Sequence, residues 1–415
     1  MKHLVLTIAT AGLALMAGSA SRVPDAPQLP DLKHIERELT EITGLQFKHD
    51  VPAAFMNRDQ LKRYLDEQVR ENAKPKDLHA TEVTLKLLGL VPADFDLRRT
   101  TVDLLTEQAE AFYDYHRRRL YLVQTQGGNQ TELEMALAHE LSHALADQHF
   151  DLKRFMKTRN TNDDEAMARM AVMEGQASWL MAAYASKKLT GTIMNLTRYF
   201  DPSAALTEQV TASYPVFAHA PLYVRESLVF PYAEGMRLEQ ALYQRDGKSS
   251  FTEVFEHPPA STQQVIHPDR YERGGKPQLP DAPKLPAGYR RILEGTLGEF
   301  DYRVLLGAWA ERETADKAAA HLIGSTYCTG EDKRSKADAL SFASTWDSPA
   351  SAQRFLDLYG NVLERKAGPG SFTRQTMTAL DGRNGAGWFH VEVNGATVRA
   401  IEGAPGPLQQ SAKMD

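Results

Sequence analysis

His139-Glu140-Leu141-Ser142-His143 is the stretch of this chain whose residue types and spacing can do chemistry. On a helix, positions four apart lie on one face. His139 and His143 can therefore point side by side at one metal ion, with the Glu140 carboxylate next to them. Two imidazoles and a neighbouring carboxylate suit zinc and a water molecule activated on it. The flanks, Leu133, Met135, Ala136, Leu137, Leu141, Ala144 and Leu145, are apolar, so the helix is expected to be buried. Unpartnered histidines inside it would be costly, and a metal is one way of satisfying them.

A catalytic zinc ion usually takes three protein ligands and leaves one position for water. Glu174 is the expected third ligand: it sits mid-helix among alanines and methionines, where a carboxylate needs a partner. His149 is the rival. For it to reach the metal the helix must end near position 146, and Ala146 resists the backbone turn that a glycine would permit. Gly175, beside Glu174, costs roughly 1 kcal/mol against alanine in a helix interior, which points to close approach of another element.

His139-Glu140-x-x-His143, together with Glu174 in Glu174-Gly175-x-Ala177, resembles the zincin metallopeptidases, in their gluzincin-like branch of secreted bacterial members. The resemblance spans about residues 100–270. It implies bound Zn2+ on His139, His143 and Glu174, a peptide or protein substrate, and Glu140 as general base. It also implies a strand at the cleft edge that takes substrate backbone by strand addition, here Arg119–Val123, and a Tyr or His oxyanion donor later in the chain. Tyr232 and His267 are the candidates for that donor. The chain departs from thermolysin-like enzymes at Ser178, where they carry an Asp that orients the first histidine. Two other readings stand beside the peptidase: a catalytically silent binding protein on the same scaffold, and a zinc amidase acting on a non-peptide or cell-wall substrate.

The elements that must position these groups give an α+β chain: a mostly helical zincin-like metallopeptidase domain with a small edge β-sheet, then a small α+β C-terminal module. Thr131-x-x-Glu134 reads as a capping box opening the His-Glu helix. Helices are expected over Leu32–Gly44, Met56–Asn72, Leu78–Leu90 and 163–187. Ala111–Asp114 and Arg119–Val123 read as a hairpin around Tyr115-His116-Arg117-Arg118. The division is 21–98 for an N-terminal helical region, 99–271 for the core, 272–288 for a Pro/Gly-rich linker, 289–404 for the module and 405–415 for a disordered tail. Within the module, Ala315–Ile323 and Ala350–Lys366 are expected helical. Ala339–Trp346, Phe372–Ala379, Trp388–Val393 and Thr397–Ile401 are expected strands, the last two joined at Asn394-Gly395.

Composition narrows the function classes. The chain has 415 residues, a formal charge of −6 and no long basic block, which argues against a nucleic-acid partner. Cys328 is the single cysteine, so no intramolecular disulfide is possible. Residues 1–20 read as a signal peptide: Lys2 and His3, an apolar run from Leu4 to Met16, then Gly18-Ser19-Ala20. A secreted or periplasmic protein with no stable membrane span after cleavage is the expectation; the oligomeric state is open.

Overall fold

A computed structural model of the protein describes residues 30–72, 74–124, 130–158, 162–193, 214–281, 284–368 and 370–407. The expected signal peptide, the glycine pair 127–128 and the tail beyond residue 407 lie outside them. Among the described residues no helix is long and apolar enough to cross a membrane.

The chain is α+β with two sheets. It opens with α1 (Leu32–Thr43), β1 (Ala53–Met56), α2 (Arg58–Asn72), α3 (Pro75–Leu88) and α4 (Leu97–Gln108). The starts of α1 and α4 are set by side-chain caps: Asp31 accepts from the Lys33 and His34 amides, and Asp96 from the Arg99 amide. The hairpin β2 (Ala111–Asp114) and β3 (Arg119–Val123) leads into α5 (Gln130–Phe150), which carries the His-Glu motif. Next come α6 (Leu152–Phe155), α7 (Asp163–Thr190), α8 (Pro215–His219), α9 (Leu222–Asp246), α10 (Ser250–Glu256), α11 (Thr262–Ile266) and α12 (Pro268–Arg273). The final region holds β4 (Tyr289–Thr296), α13 (Glu299–Gly307), α14 (Arg312–Ala319), β5 (Leu322–Asp332), β6 (Asp338–Trp346) and α15 (Pro349–Ala367). It ends with β7 (Phe372–Gln375), β8 (Ala379–Asn384), β9 (Gly387–Asn394) and β10 (Thr397–Ala404).

The small sheet has the order β1-β3-β2, with β1 parallel and β2 antiparallel to β3. This corrects the placement of Arg119–Val123 at the cleft edge. β1, which no local pattern announces, pairs with β3 from Ala53↔Leu120 to Met56↔Val123 and makes it the central strand. Among the described strands, the unpaired edge nearest α5 belongs to β2. A second correction concerns Thr131-x-x-Glu134. Helix α5 already runs from Gln130, so Thr131 lies inside it, and Glu134 is drawn across to Lys188 near the end of α7 at 2.5 Å.

The large sheet is antiparallel throughout, in the order β4-β5-β6-β10-β9-β8-β7. It does not stand apart from the helical region. Thr84 of α3 meets Thr329 of β5 hydroxyl to hydroxyl at 2.8 Å, and one continuous cluster of buried apolar residues runs from Ile35 to Ala400. The described residues of the Pro/Gly-rich stretch between α12 and β4 form no helix or strand, yet they lie against β5: the Thr326 hydroxyl donates to the Pro280 carbonyl at 2.6 Å. A Cβ on Gly324 would sit 2.4 Å from the Gln278 carbonyl oxygen.

Candidate metal centre

Three helices build the site. α5 supplies His139, Glu140 and His143; α7 supplies Glu174; α9 supplies Tyr232. The first four are buried, at 4%, 3%, 6% and 1% exposure. His139 Nε2 lies 3.1 Å from His143 Nε2. Glu174 Oε2 lies 3.2 Å from His139 Nε2 and 3.3 Å from His143 Nε2. Three donor atoms thus form a nearly equilateral triangle. Tetrahedral zinc with bonds of about 2.0–2.1 Å places its donors about 3.3 Å apart. The edges match, and the donor set of two neutral imidazoles and one carboxylate is the chemistry such an ion takes. His143 Nδ1 is buried with no hydrogen-bond partner among the described residues, which leaves Nε2 as the ring's engaged nitrogen. His139, Glu140 and His143 also qualify as a cluster whose donor atoms all lie within 4.8 Å of one another. The residues present therefore fit a zinc ion.

Electrostatics separates the two carboxyls. Burial pushes Glu140 up to about 8, aided by the Glu174 charge and opposed by His139 and by the Tyr113 amide. Burial also acts to raise Glu174, but the imidazoles of His143 and His139 outweigh it and hold this carboxyl down at about 2. The two carboxyls are thereby pushed in opposite directions, Glu174 toward its anion and Glu140 toward its neutral acid.

Glu140 is oriented by the backbone. Its Oε2 accepts from the Tyr113 amide of β2 at 2.7 Å, and the Tyr113 hydroxyl donates to Asp147 at 2.9 Å. The Val123 amide bonds the Glu110 carbonyl, so alternation along the ladder turns the backbone groups of Ala111 and Tyr113 away from β3, toward the free edge. Glu140 therefore touches the outer edge of β2, the strand edge that faces α5 among the described residues.

Helices α7 and α9 meet through glycine. A Cβ on Gly175 would lie 2.1 Å from the carbonyl carbon of Gly235 in α9, and one on Gly235 would lie 2.0 Å from the Ala171 carbonyl oxygen. The close approach expected from Gly175 is thus a crossing of α7 over α9. It brings Tyr232, one turn before Gly235, to stack on His139 with ring centroids 5.8 Å apart and planes at 19°.

Two other residues lie elsewhere. His267, expected as a possible oxyanion donor, is held by Glu299 of α13 at 2.9 Å and 3.1 Å, and Arg303 shares that carboxylate at 2.9 Å. It belongs to the junction with the large sheet. His149 donates its Nε2 to the Gln46 carbonyl at 2.8 Å, because α5 continues unbroken past Ala146 to Phe150. Asp147 had a readable signal, since it lies four residues beyond His143 on the same helix face. Tyr113 had none, because its amide rather than its side chain holds Glu140.

A family profile described as a domain of unknown function, DUF8575, matches residues 288–412. That stretch contains the whole large sheet and none of the triangle. No curated protein and no solved structure matches the chain.

Proposed function

We propose that this protein is a zinc-dependent peptidase of zincin type, with His139, His143 and Glu174 as ligands and Glu140 as general base. The observation that carries the reading is the triangle of Nε2, Nε2 and Oε2 at 3.1–3.3 Å, with Glu140 beside it on the amide of a sheet edge. A peptide is favoured over another amide by that edge. The outward backbone groups of Ala111 and Tyr113 match an extended main chain, which adds as a further strand. The apolar run at Leu4–Met16 supports export to the periplasm or beyond.

Zinc bound at the triangle supplies a Lewis acid that makes water acidic enough to react near neutral pH. Glu140 accepts a proton from the attacking water and later delivers it to the leaving amine. The Tyr113 amide holds Glu140 in place but must share the edge with substrate. Tyr232, stacked on His139, is the candidate donor for the developing oxyanion, and the Glu299 pairing of His267 argues against the latter in that role.

The test is metal content together with hydrolysis of a mixed peptide library by the wild type, Glu140→Gln and Glu174→Ala. Glu140→Gln should keep zinc and lose roughly 10²–10⁴-fold in rate. Glu174→Ala should lose the metal. Full activity in Glu140→Gln sinks the mechanism. A wild type that binds zinc and cleaves no peptide would move the reading toward the silent scaffold or the amidase.

A further inference from the structure

Tyr113 holds α5 at two places. Its amide donates to Glu140 Oε2 at 2.7 Å, and its hydroxyl donates to Asp147 Oδ2 at 2.9 Å. Glu140 and Asp147 are seven residues apart, about two turns and 10 Å along the helix, and they fall on one face. Tyr113 therefore lies lengthwise against α5 as a strut, with its main chain at one end and its phenol at the other. His143 sits between the two attachment points. All three residues of the strut are buried, where a hydrogen bond is stronger than in water and costly to leave unmade.

The surroundings of Asp147 show what its second oxygen does. A carboxylate this buried normally has a paired cation. The Arg118 guanidinium comes within 3.8 Å, but its side chain is 72% exposed, an arrangement that contributes little. Asp147 is held instead by neutral donors. Its Oδ1 accepts from the Leu152 amide at 2.9 Å, and its Oδ2 from the Tyr113 hydroxyl. The Leu152 bond ties the corner between α5 and α6 and needs only one oxygen. The other is given to the phenol.

The strand explains why that phenol matters. β2 is four residues long and is paired along one side, with β3. Its ladder fixes where Tyr113 lies against Leu120, not how far the outward amide stands from α5. The phenol supplies that second constraint, since a buried ring bonded at its far end cannot turn without giving up the bond to Asp147. We propose that Asp147 is a positioning residue for Glu140, acting through Tyr113: by anchoring the phenol it fixes the amide that orients the base. Base, histidines and anchor then share one helix, and the strand is pinned to it on either side of His143. This inference rests on the peptidase reading above, in which Glu140 is the base.

Tyr113→Phe is the informative variant. It keeps the ring, the amide and the Asp147–Leu152 bond, and it removes only the link. Full-length, zinc-loaded protein is used, with rates taken per bound zinc on a library peptide that the wild type cleaves. In Tyr113→Phe and in Asp147→Ala, kcat should fall by about 10–100-fold, the scale of a misplaced catalytic group. KM and zinc affinity should stay near their wild-type values, because a base acts in the transition state. The double variant should be no slower than the slower single one, since both cut the same link. A purely structural pair predicts a lower melting temperature with wild-type kcat per bound zinc, and that result overturns the proposal. So does a raised KM with unchanged kcat, which would place the strut on substrate binding. Hydrogen exchange reads the same link without turnover: the Tyr113 amide should be protected in the wild type and exchange faster in Tyr113→Phe, and equal protection in both overturns the proposal. A wild type that binds zinc and cleaves no peptide removes the peptidase reading, and the role of Asp147 with it; a wild type that cleaves peptide no faster than Tyr113→Phe removes only the role of Asp147.

Discussion

Gly175→Ala tests the packing that sets the distance between α7, which carries Glu174, and α9, which carries Tyr232. The added Cβ would sit 2.1 Å from the Gly235 carbonyl carbon, 2.4 Å from its Cα and 2.5 Å from its carbonyl oxygen. Carbon atoms rest about 3.5–4.0 Å apart, so α7 and α9 must separate by about 1.5 Å. All three colliding atoms are backbone, so no side chain can swing aside. Alanine regains about 1 kcal/mol of helix preference over glycine. Overpacking costs typically about 1–3 kcal/mol, and more where the backbone must move. The expected net loss is on the order of 2 kcal/mol, read as a lower urea midpoint with an unchanged slope. Because Glu174 adjoins Gly175 and Tyr232 lies one turn from Gly235, zinc affinity should fall with it. Gly307→Ala is the control: its nearest neighbours, Ala315 Cβ and Arg312 Cδ, are both 3.7 Å away, so stability should hold or rise by up to about 1 kcal/mol. A Gly175→Ala protein as stable as the wild type, with unaltered zinc affinity, would refute the crossing as the determinant of site geometry.

His149→Ala should retain zinc while Glu174→Ala loses it, measured by metal content after dialysis; the reverse would make His149 the third ligand despite its bond to Gln46. Removing zinc with a chelator should lower the melting temperature, because an ion at 100 times its dissociation constant contributes about 2.7 kcal/mol. Burial raises Asp164 to about 6 and Asp301 to about 7. Their folded values exceed their unfolded ones, so their contribution is fully present below about pH 4 and is lost as pH rises through 6–7. Metal-free protein should therefore melt lower at pH 8 than at pH 5.5, and Asp301→Asn should flatten that decline; a variant with the same slope as wild type would discount Asp301 as its source.

The legible parts of the site were those written in local spacing. His139, Glu140 and His143 declare themselves by helical periodicity, Glu174 by its apolar surroundings, and Gly175 by its cost in a helix. The parts that stayed hidden depend on partners distant in sequence. β1 exists because a parallel strand more than 60 residues away receives it, and that pairing turned β3 from edge to centre. β5 reads as polar and was not expected as a strand, although Ser325 and Thr329 are fully buried on it. Their hydroxyls meet Tyr302 and Thr84 at 2.8 Å each, contacts that no window of sequence contains. Asn394-Gly395 was legible for the opposite reason: the turn chemistry is local, and Gly395 takes φ 58° between β9 and β10.

The start of α7 gives the last region of the chain a part in the site it never touches. Asp163 accepts from the Tyr327 hydroxyl at 2.9 Å, and Asp164 accepts from the Thr262 amide at 2.9 Å and its hydroxyl at 2.6 Å. Any Cβ on Gly295 or Gly298 would collide with these carboxylates, at 2.2 Å and 1.8 Å. Ten residues of helix separate Asp164 from Glu174, a stiff span of about 15 Å. Glu174 is thus a fitting on a rod clamped at two places, the glycine crossing with α9 and the socket formed with β4. The large sheet serves as the far bearing of that rod, and its alignment sets how accurately the Glu174 carboxylate meets the two histidines.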